Sequence, residues 1–216
     1  MRDAYHEELD GITEALVDLA HLVRSAMGRA TTALLDADLQ LAESVITGDT
    51  VIDDRYHGIE ERAFELLARQ QPVATDLRLL VTSLRMVADI ERAGDLALHV
   101  AKVARRRYPL SAIPAGLRST ILEMGHEAEQ VMAKAADVIA RRDLTAANEL
   151  EADDDRMDDL HRQLFAVVLG EDWGGTVEGA IDVTLVGRYY ERFADHAVSV
   201  ARRVVYLVTG ERVIAP

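Results

Sequence analysis

The sequence has 216 residues, 49% of them hydrophobic, which is enough apolar material for a substantial core and argues against disorder. Its 38 acidic residues outnumber 24 basic ones for a net charge of −14, which repels phosphate backbones and gives no reason to expect nucleic-acid binding, and the absence of cysteine excludes disulfides, thiolate zinc sites and thiol nucleophiles. No apolar run approaches the roughly 18 residues of a membrane span, and the opening MRDAYHEELDGI lacks the basic and apolar regions of a secretory signal, so a soluble cytoplasmic protein is expected.

The first predicted element is a helix over 4–36, because Leu9, Ile12, Leu16, Leu19, Val23, Met27, Ala30 and Leu34 recur at steps of three and four. Asp38 then stands where an N-cap would open a second helix over 39–69. Pro72 separates it from a third over 73–107, whose terminal Arg105–Arg107 complement the negative end of the helix dipole. Pro109 and Pro114 punctuate the next connection, after which Leu117, Ile121, Met124, Ala128, Val131, Ala135 and Val138 repeat the first helix's pattern over 115–141. Arg141 and Arg142 close that helix, Asp143 caps a fifth over 144–169, and glycines 170, 174 and 175 mark the loop before a sixth over 177–209. Nothing reads as a strand. The expected fold is all-α: two tandem three-helix bundles of long antiparallel helices, divided into 1–109 and 110–216.

The two halves are related by duplication. Asp89 to Ala101 (DIERAGDLALHVA) reappears as Tyr189 to Ala201 (YYERFADHAVSVA), with Glu91/Glu191, Arg92/Arg192, Asp95/Asp195, Ala97/Ala197, Val100/Val200 and Ala101/Ala201 identical. Asp38, Asp49, Asp53 and Tyr56 precede Asp143, Asp154, Asp158 and His161 by 105 positions, so the second half is about five residues shorter between these motifs.

Each half carries two carboxylate pairs spaced i, i+4: Asp49 with Asp53 and Glu91 with Asp95, then Asp154 with Asp158 and Glu191 with Asp195. Such neighbours lie about 5 to 6 Å apart on one helix face and weaken the helix by some 0.2 to 0.5 kcal/mol unless a cation sits between them. A chain this acidic yields about six or seven such pairs by chance, so one pair means nothing. Two pairs at corresponding places in both halves are harder to ascribe to chance, and with the second and third helices antiparallel neighbours, four carboxylates could converge. The rival reading is a solvated salt-bridging face, with narrow polar stripes of Arg85, Asp89, Arg92, Asp95 and His99 on the third helix and Arg188, Glu191, Arg192, Asp195, Ser199 and Arg202 on the sixth. Oxygen ligands suit Mg, Mn, Ca or Fe, and Zn accepts them too.

His99, one turn beyond Asp95, is a candidate imidazole ligand, although its counterpart is Ser199. Glu123 and His126 form one Glu-x-x-His, the element a ferritin-like di-iron protein needs twice, with Asp54/His57 and Asp158/His161 as shorter analogues. A phosphate-cradling glycine loop, a serine elbow and a histidine pair for a zinc hydrolase are all missing, which argues against enzymatic activity.

IERAGDLALHVA and YERFADHAVSVA resemble the paired acidic helices of PhoU proteins, and Gln71 to Ala97 (QPVATDLRLLVTSLRMVADIERAGDLA) is similar to that family's signature third helix. The resemblance spans the whole chain. It implies a non-enzymatic cytoplasmic regulator of phosphate uptake and negative regulator of the phosphate-starvation response. Such a regulator contacts the phosphate ABC transporter ATPase and a sensor histidine kinase, reaches the membrane only through those partners, and forms a homodimer. It further implies metal ions (Mg, Mn, Fe or Zn) on Asp49, Asp53, Glu91, Asp95, Asp154, Asp158, Glu191 and Asp195. The departures at Asp89/Tyr189, Gly94/Ala194 and His99/Ser199 are where the two sites would differ. A metal-independent acidic helical scaffold is the alternative.

Overall fold

The computed structural model of the protein describes residues 2–171 and 173–211, with the side chains of 2–4 and 151–154 left out. Six helices run in order: α1 (Arg2–Asp36), α2 (Leu39–Gln70), α3 (Ala74–Arg107), α4 (Arg118–Arg141), α5 (Leu144–Val168) and α6 (Val177–Thr209). Among the described residues there is no strand, and no helix is long and apolar enough to cross a membrane. The boundaries fall within two residues of those expected except at the start of α4, where Ala115–Leu117 forms a separate 3₁₀ turn.

The turns that end α1 and α4 are built alike. Ala37 (φ 52°) and Arg142 (φ 53°) take the left-handed conformation that breaks each helix, and the next residue caps the following one. Asp38 accepts from Leu41 N at 2.9 Å, and Asp143 accepts from Thr145 N at 2.9 Å and Ala146 N at 3.2 Å. These bonds satisfy backbone donors that the first helical turn leaves unpaired. Replacing either aspartate with alanine is expected to lower stability by about 1 kcal/mol, read as a shifted midpoint in urea unfolding with unchanged slope. At the far end of α6, Gly210 takes φ 78°, which a side chain resists.

The apolar stripe of α1 is buried as its period requires: Ile12, Leu16, Leu19, Val23, Met27 and Leu34 are all sealed from solvent. The α4 stripe from Leu117 to Val138 is equally buried. Each half is a three-helix bundle, and the bundles join through α1 against α4 and α3 against α6, so one continuous apolar core runs through both. Helices α2 and α5 each pack within their own half, which places them at the outer edges.

Helices α3 and α6 are antiparallel about a point between Gly94 and Ala194. His99 meets Tyr189 with ring centroids 5.3 Å apart, Arg107 Nη1 meets Glu178 at 2.7 Å, and Arg78 Nη1 donates to the Leu207 carbonyl at 3.3 Å. The duplication is therefore a pseudo-twofold symmetry in space. Gly94 has a specific use: a Cβ there would stand 3.1 Å from Ile52 Cγ2, so its absence lets α2 approach α3 beside Asp53 and Asp95. At the corresponding second-half positions stand Ala194 and Met157.

Candidate metal centre

Antiparallel packing of α2 on α3 gathers Asp49, Asp53, Glu91 and Asp95 on one patch. The Asp49 carboxyl is pushed above its ordinary range, first by burial and then by the charges of Asp53 and Asp95, while Lys102 and His99 act in the opposite sense. Glu91 is also raised, first by burial and then by Asp95 and Asp53. Such mutual repulsion operates only among carboxylates that are close neighbours. Tyr56 lies over this patch; burial first, then a hydrogen bond to Glu60, raises its hydroxyl.

In the second half, α5 brings Asp158 near Glu191. Glu191 is raised first by burial and next by Asp195, with Arg188 opposing. Arg188 hydrogen-bonds Glu191, and Arg192 approaches Asp195 at 3.8 Å. The side chain of Asp154, the fourth expected ligand, lies outside the described residues. His161 takes the place of Tyr56: its Nε2 is buried with no hydrogen-bond partner, and burial first, then Arg188, lowers its pKa.

The donor chemistry fits a hard cation, since the first patch offers four carboxylates and the second adds an imidazole. The side chains do not yet enclose one: among the described residues no three Asp, Glu or His are placed as a coordination shell. In the second patch the arginines occupy the carboxylates that an ion would take. His99 Nδ1–H donates to the carbonyl of Asp95 at 2.5 Å, leaving Nε2 as its possible ligand atom near Asp49.

Two sequence expectations need correction. Asp89 does not belong to the exposed stripe with Arg85 and Arg92. It is 5% exposed and faces α6, where His196 Nδ1 donates at 3.4 Å and Arg203 Nε at 2.5 Å. The Glu-x-x-His of Glu123 and His126 does not form a buried four-helix site either, since both residues are exposed and Glu123 pairs with Arg156 at 3.5 Å.

Sequence reasoning missed the polar contacts that join the halves. Asp182 is 2% exposed and receives Arg106 at 2.5 Å together with Arg107, so the arginine run at the end of α3 does more than complement a dipole. Thr31 and Tyr190 share a buried 2.8 Å hydrogen bond between α1 and α6, and Arg118 of α4 reaches the Leu35 carbonyl and Asp36 of α1. A charged residue at a core-facing position, such as Asp182 four before buried Val186, was the available signal.

Comparison with known proteins shows the same six-helix fold and the family it belongs to. A family model described as the PhoU domain matches the chain twice, over residues 16–104 and 121–204. The chain is 50% identical over 210 residues to the "Phosphate-specific transport system accessory protein PhoU homolog 2" of Mycobacterium tuberculosis, covering 97% of this chain and 99% of that one. It is 32% identical to the PhoU homolog of Rhizobium meliloti, over 96% of this chain and 88% of that one. The crystal structure of PhoU from Pseudomonas aeruginosa superposes with a TM-score of 0.86 at 30% identity, covering 96% of this chain and all of that one. That of the phosphate transport system regulatory protein PhoU from Streptococcus pneumoniae gives 0.88 at 24% identity over 98% of this chain and all of that one, a likeness of fold.

Proposed function

Because the chain belongs to the PhoU family, we propose that it is a non-enzymatic regulator of phosphate uptake and a repressor of the phosphate-starvation response when phosphate is abundant. It acts in the cytoplasm by binding the phosphate ABC transporter ATPase and a sensor histidine kinase. The observation that carries this reading is the full-length similarity to proteins named as accessory to phosphate-specific transport.

Within that reading, Asp49, Asp53, Glu91 and Asp95 would hold cations in the first half, and Asp154, Asp158, Glu191 and Asp195 in the second. A bound Mg, Mn, Fe or Zn ion would supply positive charge and oxygen coordination. Gly94 sets the α2–α3 approach in the first patch, and in the second Arg188 and Arg192, which pair with Glu191 and Asp195, would have to give way to the ion. The unclosed arrangement of these side chains favours a second reading, an acidic helical scaffold that works without metal. Elemental analysis of the purified protein separates the two.

The functional test is co-purification from cells grown in phosphate-rich and phosphate-poor media. Recovery of the transporter ATPase or the kinase in rich medium is the expected outcome. Recovery of neither in either medium contradicts the reading.

A further inference from the structure

We propose that His161 is a metal ligand of the second acidic patch, through Nε2, and that it tilts this patch toward zinc and away from the harder ions that suit the first. This rests on the metal-holding reading above and deepens it by naming a ligand outside the eight carboxylates and the class of ion it selects.

The twin half shows what is special here. In the first half Tyr56 lies over the patch and its hydroxyl bonds Glu60, so that polar atom is satisfied without an ion. At the positions 105 further on, His161 replaces Tyr56 and Phe165 replaces Glu60. A nitrogen has taken the hydroxyl's place, and the group that served it is gone. His161 Nε2 is buried with no hydrogen-bond partner among the described residues. Buried polar atoms are nearly always paired, and an orphan of this kind is what an absent ion leaves behind.

The neighbours hold the ring against α6. Phe165 packs on it with ring centroids 4.8 Å apart. On the facing helix Gly187 stands where the first half has the buried Val87. A Cβ at Gly187 would lie 3.1 Å from His161 Cδ2 and 3.6 Å from Nε2, so the missing side chain admits this edge of the imidazole to the helix. Gly187 is one turn before Glu191 on α6, and Asp158 is three positions before His161 on α5, so each carboxylate shares a helix face with one side of that contact. The charge of Asp158 acts on both His161 and Glu191, which places the three in one neighbourhood. Tyr56, Glu60 and Val87 thus become His161, Phe165 and Gly187 together: the first change supplies a nitrogen, the second removes its competitor and the third makes room.

Carboxylates alone suit Mg, Ca and Mn, whereas an added imidazole suits Zn. Zinc outranks manganese at most sites of nitrogen and oxygen donors, so the signature is how far the preference depends on His161. His99 beside the first patch is exposed, with its ring against Tyr189, and offers no buried orphan nitrogen.

The test uses the full-length chain carrying Asp53→Asn and Glu91→Gln, which disables the first patch, titrated free of metal with Zn²⁺ and with Mn²⁺ by calorimetry. Adding His161→Tyr, the residue of the twin position, should weaken Zn²⁺ binding at least about tenfold and leave Mn²⁺ binding within about threefold. X-ray absorption at the zinc edge should show an imidazole nitrogen at about 2.0 to 2.1 Å that the substitution removes. Unfolding midpoints report whether the variant is folded, and His161→Gln, which should lose the same nitrogen, serves if it is not. An equal loss of both ions would reduce His161 to a packing role and overturn the inference. Undiminished Zn²⁺ binding that Glu191→Gln abolishes overturns it too, while the metal reading stands. No uptake of either ion by the unaltered chain overturns both.

Discussion

Replacing Asp182 with alanine is expected to lower stability by about 3 kcal/mol, with a fall in melting temperature of about 6 to 12 °C. Asp182 is sealed from water near the start of α6 and is held by Arg106 and Arg107 from the end of α3. Its removal takes the acceptor from two guanidinium groups at once. Arg107 feels this most: hydrogen bonds that it donates first to Glu178 and then to Asp182 raise its pKa, and its side chain is only 20% exposed. Arg106 is 56% exposed and can turn to water, which keeps the loss near the lower end of what breaking a buried pair costs. Asp182→Asn retains the shape and part of the hydrogen bonding, so it should lose clearly less. Denaturant unfolding of both variants checks this; a loss below about 1 kcal/mol for alanine would mean that the Asp182 pairs contribute little to holding the halves together.

The second large effect is expected from cations acting through Glu91 and Glu191. In metal-free protein both groups, and Asp49, have folded-state pKa values above their ordinary ones, mainly through burial and then through neighbouring carboxylates. Between the unfolded and folded values the native state therefore binds more protons than the unfolded chain, so stability rises as pH falls from neutrality toward the carboxylate range. Asp89 has the opposite sign. Burial raises its carboxyl, but hydrogen bonds from His196 and Arg203 and their charges outweigh this and hold it below the ordinary range. Its contribution is complete above the unfolded carboxylate pKa and is lost as pH falls through its folded value, which turns the rise over in acid.

A cation at neutral pH does what the protons do, and more strongly. At about 100 times its dissociation constant it should stabilise the protein by about 2.7 kcal/mol per site. The double substitution Glu91→Gln with Glu191→Gln should therefore raise metal-free stability slightly, flatten the mild-acid rise and abolish the gain from added ion. Thermal unfolding between pH 4 and 8, with chelator and with Mn²⁺, reads all three. An undiminished ion response in the variant would remove these two residues from the site.

How far the sequence foretold the molecule differs by the kind of contact. Helical period and caps are local signals, so the burial of Ile12, Leu16 and Leu19 and the capping bonds of Asp38 and Asp143 followed directly from spacing. The duplication marked the carboxylate pairs, and antiparallel packing was enough to predict that Asp49 and Asp53 would meet Glu91 and Asp95. The contacts between halves were hidden because they join residues about a hundred positions apart with no periodic trace. Asp89 shows the limit: three residues before Arg92 it lies about 60° round the helix, enough to turn it from the exposed ridge into the α6 junction. Whether the carboxylates of one patch close around an ion depends on rotamers, which spacing does not encode.

The most direct measurement is Mn²⁺ titration of the metal-free full-length chain, followed by calorimetry, alongside the Glu91→Gln, Glu191→Gln variant. Saturable uptake of at least one ion per half by the unaltered chain, weakened at least about tenfold in the variant, is the predicted result. Equal uptake by both proteins, or none by either at millimolar ion, would contradict the claim that the twin acidic patches are cation sites.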